Sequence, residues 1–181
     1  MTTSLSATAQ LSRRHVLKVG LFGSAFLATV GVTASLSGCS DSRLQDGYAA
    51  LRASDLGFLQ ALIPVLLSSA VQPAQMPQAV EQTLKNIDYG LNHLSPSMLK
   101  LTQQLFDLLT MPITRGPLTG IWGHWHKASE AHMQAFLKRW ENSSISLLRK
   151  AHAALLQLVL MAWYSAPQSW AHCGYPGPPK F

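Results

Sequence analysis

The sequence predicts an all-α protein, a compact array of about five amphipathic helices followed by an extended, proline- and aromatic-rich C-terminal arm. Three observations carry this expectation. Apolar residues recur at intervals of three and four along each long segment, the period of a helix face. No segment shows the two-residue alternation of a half-buried strand. Serine or proline stands near the expected start of most helices, where each favours initiation.

The first 38 residues are set apart from that fold. "LSRRHVLKVG" (residues 11–20) places Arg13 and Arg14 just ahead of an uncharged stretch at 19–36. That is the pattern of a twin-arginine export signal, which serves cargo exported already folded. Glycine, serine and threonine dilute the stretch, as suits such a signal and suits a permanent span poorly. "LSGC" (residues 36–39) resembles a lipobox, with Cys39 as the lipidated residue at the start of the mature chain. The alternative is an uncleaved anchor helix, since 18 residues are long enough to span a bilayer. Segments of this kind are excluded from fold reasoning.

Residues 39–53 read as a polar tether and 54–181 as the helical domain. Without the signal the chain loses three basic residues and no acidic one, so its net charge falls from +6 to +3. No cluster of Lys and Arg remains, which argues against a nucleic-acid partner. Cys173 is the second of two cysteines. With Cys39 lipidated it has no mate in its own chain, which points to an intermolecular disulfide or a free thiol.

The elements follow in order. Ser54 is placed to cap a first helix carrying Leu56, Leu59, Ile63 and Leu66. Pro64 should kink it, and Pro73 ends the segment. A second helix follows Pro77, with Val80, Leu84, Ile87, Leu91 and Leu94 on one stripe. Ser95 and Pro96 open a third, marked by Met98, Leu101, Leu105 and Leu108 and closed near Pro112. Residues 113–127 hold three glycines and a proline and read as a long loop. Ser129 caps a fourth helix with Met133, Phe136 and Trp140 on one side. Ser143 or Ser144 caps a fifth, which runs to about Ser165.

Candidate chemistry is sparse. There is no Gly-x-Gly-x-x-Gly turn, no Walker-type loop and no Cys-x-x-Cys-His. His124, His126 and His132 lie close together with Trp122 and Trp125 between or beside them. His-x-His can ligate zinc or copper, but Glu130 is a weak third ligand and no cysteine joins it. A loop whose aromatics pack on the bundle or on a partner is the preferred interpretation, and His152 reads as a core-edge residue. No catalytic, cofactor-binding or metal residue is assigned.

The C-terminus is more informative, because residues 151–179 contain no charged side chain. The fifth helix, "AHAALLQLVLMAWYSA", is apolar nearly all round. It is expected either at the centre of the bundle or covered on one side by another protein. "WAHCGYPGPPKF" behind it should form an extended arm. Trp163, Tyr164, Trp170, Cys173, Tyr175 and Pro176 are the candidate interface residues, large flat side chains of the kind enriched at interfaces among them.

Three stretches resemble the gluconate 2-dehydrogenase subunit 3 family, the small subunits of bacterial membrane-associated flavin dehydrogenases. They are "ALIPVL", "ITRGPLTGIW" and, most specifically, "MAWYSAPQSWAHCGYPGPP". The remaining helices match only in apolar spacing. The resemblance implies a non-catalytic small subunit and export chaperone with no cofactor of its own. Its partner would be a large FAD-containing sugar or alcohol dehydrogenase subunit, carried folded through the twin-arginine (Tat) translocase. A multihaem cytochrome c often accompanies such complexes. The lipobox at Cys39 departs from many members and implies a membrane anchor in the periplasm. The alternative function is a stand-alone envelope lipoprotein that binds an apolar ligand or another envelope protein.

Overall fold

The computed structural model describes residues 43–177. The export signal with Arg13 and Arg14, Cys39, the first residues of the tether and the last four residues, Pro178 and Pro179 among them, lie outside the described residues. The described chain is all-α. Its helices are α1 (Ala53–Leu67), α2 (Met76–Asn92), α3 (Pro96–Thr110), α4 (Pro112–Thr119), α5 (Glu130–Glu141) and α6 (Ser146–Tyr164). A four-residue helix α7 (Trp170–Cys173) comes next, and 3₁₀ turns lie at Pro73–Gln75, Trp125–Lys127 and Pro167–Ser169.

The central element is α1, not the fifth predicted helix. It packs on α2, α3, α5 and α6 and on the turn at Trp125–Lys127. Phe58, Leu59, Leu62 and Ile63 are completely buried. An aromatic chain runs through the core from α3 to α5. Phe58 lies 6.1 Å from Phe106 and 5.0 Å from Trp125, and Trp125 meets Phe136, which meets Trp140 edge-on at 4.9 Å. Both tryptophans of this chain of rings satisfy their N–H groups. Trp125 donates to the Leu109 carbonyl at 3.0 Å and Trp140 to that of Leu118 at 2.9 Å. These bonds remove the penalty that a buried, unpaired indole N–H would impose.

Local signals are obeyed where they are strongest. Ser95 Oγ accepts from the Met98 N–H with Pro96 in the first turn, and Ser129 Oγ accepts from the His132 N–H. Elsewhere the structure differs from expectation. Ser54 is not the cap of α1. The cap position is Arg52, two residues earlier, and Asp55 reaches back to accept from the Arg52 N–H at 3.0 Å. α6 has Ile145 at its cap position, and Ser143 instead accepts from the Ile145 N–H just outside the helix. The predicted loop at 113–127 contains α4. Pro112 has no donor to lose at a helix start, so it restarts the chain as a helix directly after Met111. Gly120, with φ of 77°, closes α4 in the left-handed conformation that glycine adopts at low cost.

The end of the predicted tether is folded. Residues 44 and 52 form an isolated bridge, and Ala50, Leu51 and Arg52 are buried. Asp88 of α2 holds this segment. Its carboxylate accepts from the N–H groups of Ala49 (2.9 Å), Ala50 (2.8 Å) and Leu51 (2.9 Å). Next to it, Arg52 pairs with Asp55 at 2.8 Å and with Asp107 of α3 at 2.7 Å. Burial, the largest influence, disfavours the charged guanidinium. The two carboxylates together outweigh it and raise the Arg52 pKa above its ordinary value.

Asp88→Ala removes the two oxygens that accept three hydrogen bonds, those from Ala50 and Leu51 buried and that from Ala49 partly so. It should destabilise the protein by about 3 kcal/mol or more, at roughly 1 kcal/mol or above for each orphaned group. Asp88→Asn, which keeps one acceptor oxygen, should cost less. Urea unfolding measures both, and equal midpoints for wild type and Asp88→Ala would refute the clamp.

Candidate functional site

The predicted interface residues divide into two groups. Trp163 is only 6% exposed and belongs to the core of its own domain. Trp170 is half-buried and donates its indole N–H to the Tyr164 carbonyl at 3.0 Å. Tyr164, Cys173, Tyr175 and Pro176 are exposed. The arm is therefore not extended throughout. A 3₁₀ turn and α7 carry the chain to Cys173, Tyr175 donates its backbone N–H back to the Trp170 carbonyl, and its ring meets Trp170 edge-on at 5.4 Å. Gly177 lies against the same indole, where a Cβ would come within 3.0 Å of the ring. Cys173 is an exposed thiol with no disulfide mate among the described residues. Its Sγ lies 3.3 Å from the Trp170 carbonyl.

α6 is apolar nearly all round, yet only Leu155, Val159, Ala162 and Trp163 are buried. Leu147 and Met161 face solvent. The helix is therefore not at the centre of the bundle: it packs on its own domain along one side and leaves Leu147 and Met161 exposed.

The histidines do not converge. His124 and His126 stack on each other with ring centroids 5.4 Å apart, while His132 Nδ1 lies 3.0 Å from Ser129 Oγ at the start of α5. Among the described residues no three His, Cys, Asp or Glu side chains are grouped to hold a metal ion.

Two features went unrecognised in the sequence. The first is the direction of the α3 stripe. Met98, Leu101 and Leu108 are exposed, and the residues that α3 buries are Phe106 and Leu109 on a neighbouring face. On α3, Met98, Leu101, Leu105 and Leu108 repeat at intervals of three and four, with Leu105 half-buried against the core. That is the narrow seam of a coiled coil rather than the broader stripe of a core-facing helix. The spacing could have been distinguished on that ground. Ile113, at 73% exposure, extends the apolar surface into α4.

The second is Arg115 in α4. It is 7% exposed, its Nε is buried without an acceptor, and among the described residues no carboxylate lies within ion-pairing distance. Beside it Trp122 covers Gly116, where any Cβ would collide with the ring at 2.5 Å. Nothing in the sequence marks Arg115 as buried. Comparison with protein-family models, with curated proteins and with solved structures finds no match to this chain.

A buried Nε–H without an acceptor, on a guanidinium with no counter-charge among the described residues, opposes folding. Arg115→Met, which keeps much of the length without the charge, should raise the unfolding midpoint or leave it unchanged. Thermal unfolding tests this, and a marked loss of stability would show that the guanidinium is satisfied within the domain.

Proposed function

We propose that this chain is the non-catalytic small subunit and export chaperone of a periplasmic, FAD-dependent sugar or alcohol dehydrogenase. The observation that carries the proposal is the segment "MAWYSAPQSWAHCGYPGPP", which resembles the C-terminal end of such subunits. It lacks charge throughout, and the structure exposes Tyr164, Cys173, Tyr175 and Pro176 within it. The outward seam on α3 gives further support. Large aliphatic side chains at regular spacing on one helix form a surface that a second protein would cover. The order of Arg13, Arg14, the uncharged stretch and Cys39 supports export of a folded complex and retention by a lipid anchor.

On this proposal the flavin belongs to the large subunit, and electrons pass onward to a partner such as a multihaem cytochrome c. This chain supplies the export address, the anchor and a docking surface. No helix among the described residues is long and apolar enough to cross a membrane. Attachment would therefore fall to Cys39 and the residues before it. Cys173, exposed and without a mate among the described residues, would tie the two subunits by a disulfide in the oxidising periplasm.

Replacing Arg13 and Arg14 with lysine should leave both this chain and its flavoprotein partner in the cytoplasm. Fractionation of cells expressing the pair decides it. A flavoprotein that still reaches the periplasm would reject co-export.

The surface claim has its own test. Leu101→Glu combined with Leu108→Glu alters side chains that are 59% and 44% exposed, so the fold should be retained. Co-purification with the large subunit should be lost. Full-strength co-purification of the double variant would remove α3 from the interface.

A further inference from the structure

A cleft of about 570 Å³ lies between the turn that follows α1, the start of α2 and the end of α6. Its size falls within the range of roughly 300–1,000 Å³ typical of ligand sites. Gln72, Gln75, Gln78 and Gln168 line it together with Ala79 and Trp163, and no charged residue takes part. None of the four glutamine amides bonds to another group among the described residues. Elsewhere on α2, Gln82 donates to Asn86, and on α5 Gln134 donates to Glu130. Trp163 is more than nine-tenths buried, and its indole N–H has no acceptor. The other core tryptophans, Trp125 and Trp140, both have one.

We propose that this cleft binds an uncharged, extended peptide segment through its main chain. A glutamine amide offers one acceptor and two donors, so it can pair with a peptide unit in both directions. Four amides around one cleft match the donors and acceptors that alternate along an extended chain. The Trp163 N–H itself is closed to solvent, so this residue forms part of the cleft wall and reports on its occupant without bonding to it. An ionic ligand has no counter-charge here. A sugar would ordinarily stack on an exposed aromatic face, and the Trp163 ring is buried in the core. The site is held in shape from below, because Asn86 Nδ2 donates to the Ala162 carbonyl at 2.8 Å and so fixes α2 to the end of α6. The proposal stands on the cleft alone and does not depend on the identity of a partner subunit.

The test uses the ¹⁵N-labelled full chain in mild detergent and N-acetyl-tetraglycine amide as probe, with glucose as the competing class. Titration of the peptide into the tens of millimolar should give a saturable shift of one indole N–H resonance. Trp163→Phe identifies that resonance by removing it. Gln72→Leu with Gln168→Leu, both at exposed positions, should weaken peptide binding about tenfold, as expected for the loss of two hydrogen bonds. If Trp163→Phe fails to fold, the glutamine pair still decides the outcome through the shifts of the Gln78 and Ala79 amides. A silent titration with the peptide overturns the proposal. So does an equal or larger response to glucose, or unchanged peptide affinity in the glutamine variant.

Discussion

The arrangement of the helices depends on three carboxylates, Asp55 and Asp88 buried and Asp107 partly so, and on the buried Arg52 that two of them hold. Asp88 gathers three consecutive N–H groups from residues 49–51, and Asp55 and Asp107 hold Arg52 immediately after them. Together these contacts join α1, α2 and α3 at one end of the domain. A buried ion pair adds little over an apolar replacement, yet breaking one side of it is costly because a charge is left behind. The value of the network is therefore geometric. It fixes where α1 begins and which of its faces meets each neighbour.

With α1 so placed, the remaining surfaces are determined. A single helix surrounded by α2, α3, α5 and α6 gives each of these one contact face. The aromatic chain Phe106, Phe58, Trp125, Phe136 and Trp140 fills the space among α3, α1 and α5. α3 meets it with Phe106 and Leu109, with Leu105 at the margin, so Met98, Leu101 and Leu108 point away. α6 meets α2 and α5 with Leu155, Val159 and Ala162, which leaves Met161 and Leu147 outside. The outward apolar residues are thus a consequence of how many helices one central helix can cover.

The all-α class and most helix limits were legible because they rest on short-range chemistry. Ser95 with Pro96, and Ser129, act on backbone groups within one turn. What the sequence did not disclose lies at longer range or depends on competition between signals. Asp88 acts across 37 to 39 residues, and its spacing on α2 looks like that of any surface carboxylate. α4 was hidden because glycine and proline weigh against a helix individually, whereas Pro112 at a helix start and Gly120 just past its end favour one. The α3 seam was visible as a stripe, but apolar spacing reports only that a face exists, not what covers it. Of the candidate interface, Trp163 was misplaced for the opposite reason. Aromatic size suits a core as well as a contact surface, so the side chain alone does not tell the two apart.

The C-terminal arm has a different physical character from the rest of the surface. Its order comes from its own residues. The Trp170 N–H bonds to the Tyr164 carbonyl, the Tyr175 N–H bonds to the Trp170 carbonyl, and the rings of Trp170 and Tyr175 meet edge-on. Gly177 allows the chain to lie directly on the Trp170 ring, which any side chain would crowd. Much of the entropy cost of ordering the arm is therefore met within the domain, before any association. An arm prepared in this way can present Tyr164, Cys173, Tyr175 and Pro176 in fixed relative positions. A partner would gain contact area without the penalty that ordering a loose tail imposes. In such an interface Trp170, half-buried beneath Tyr175, would also position its neighbours.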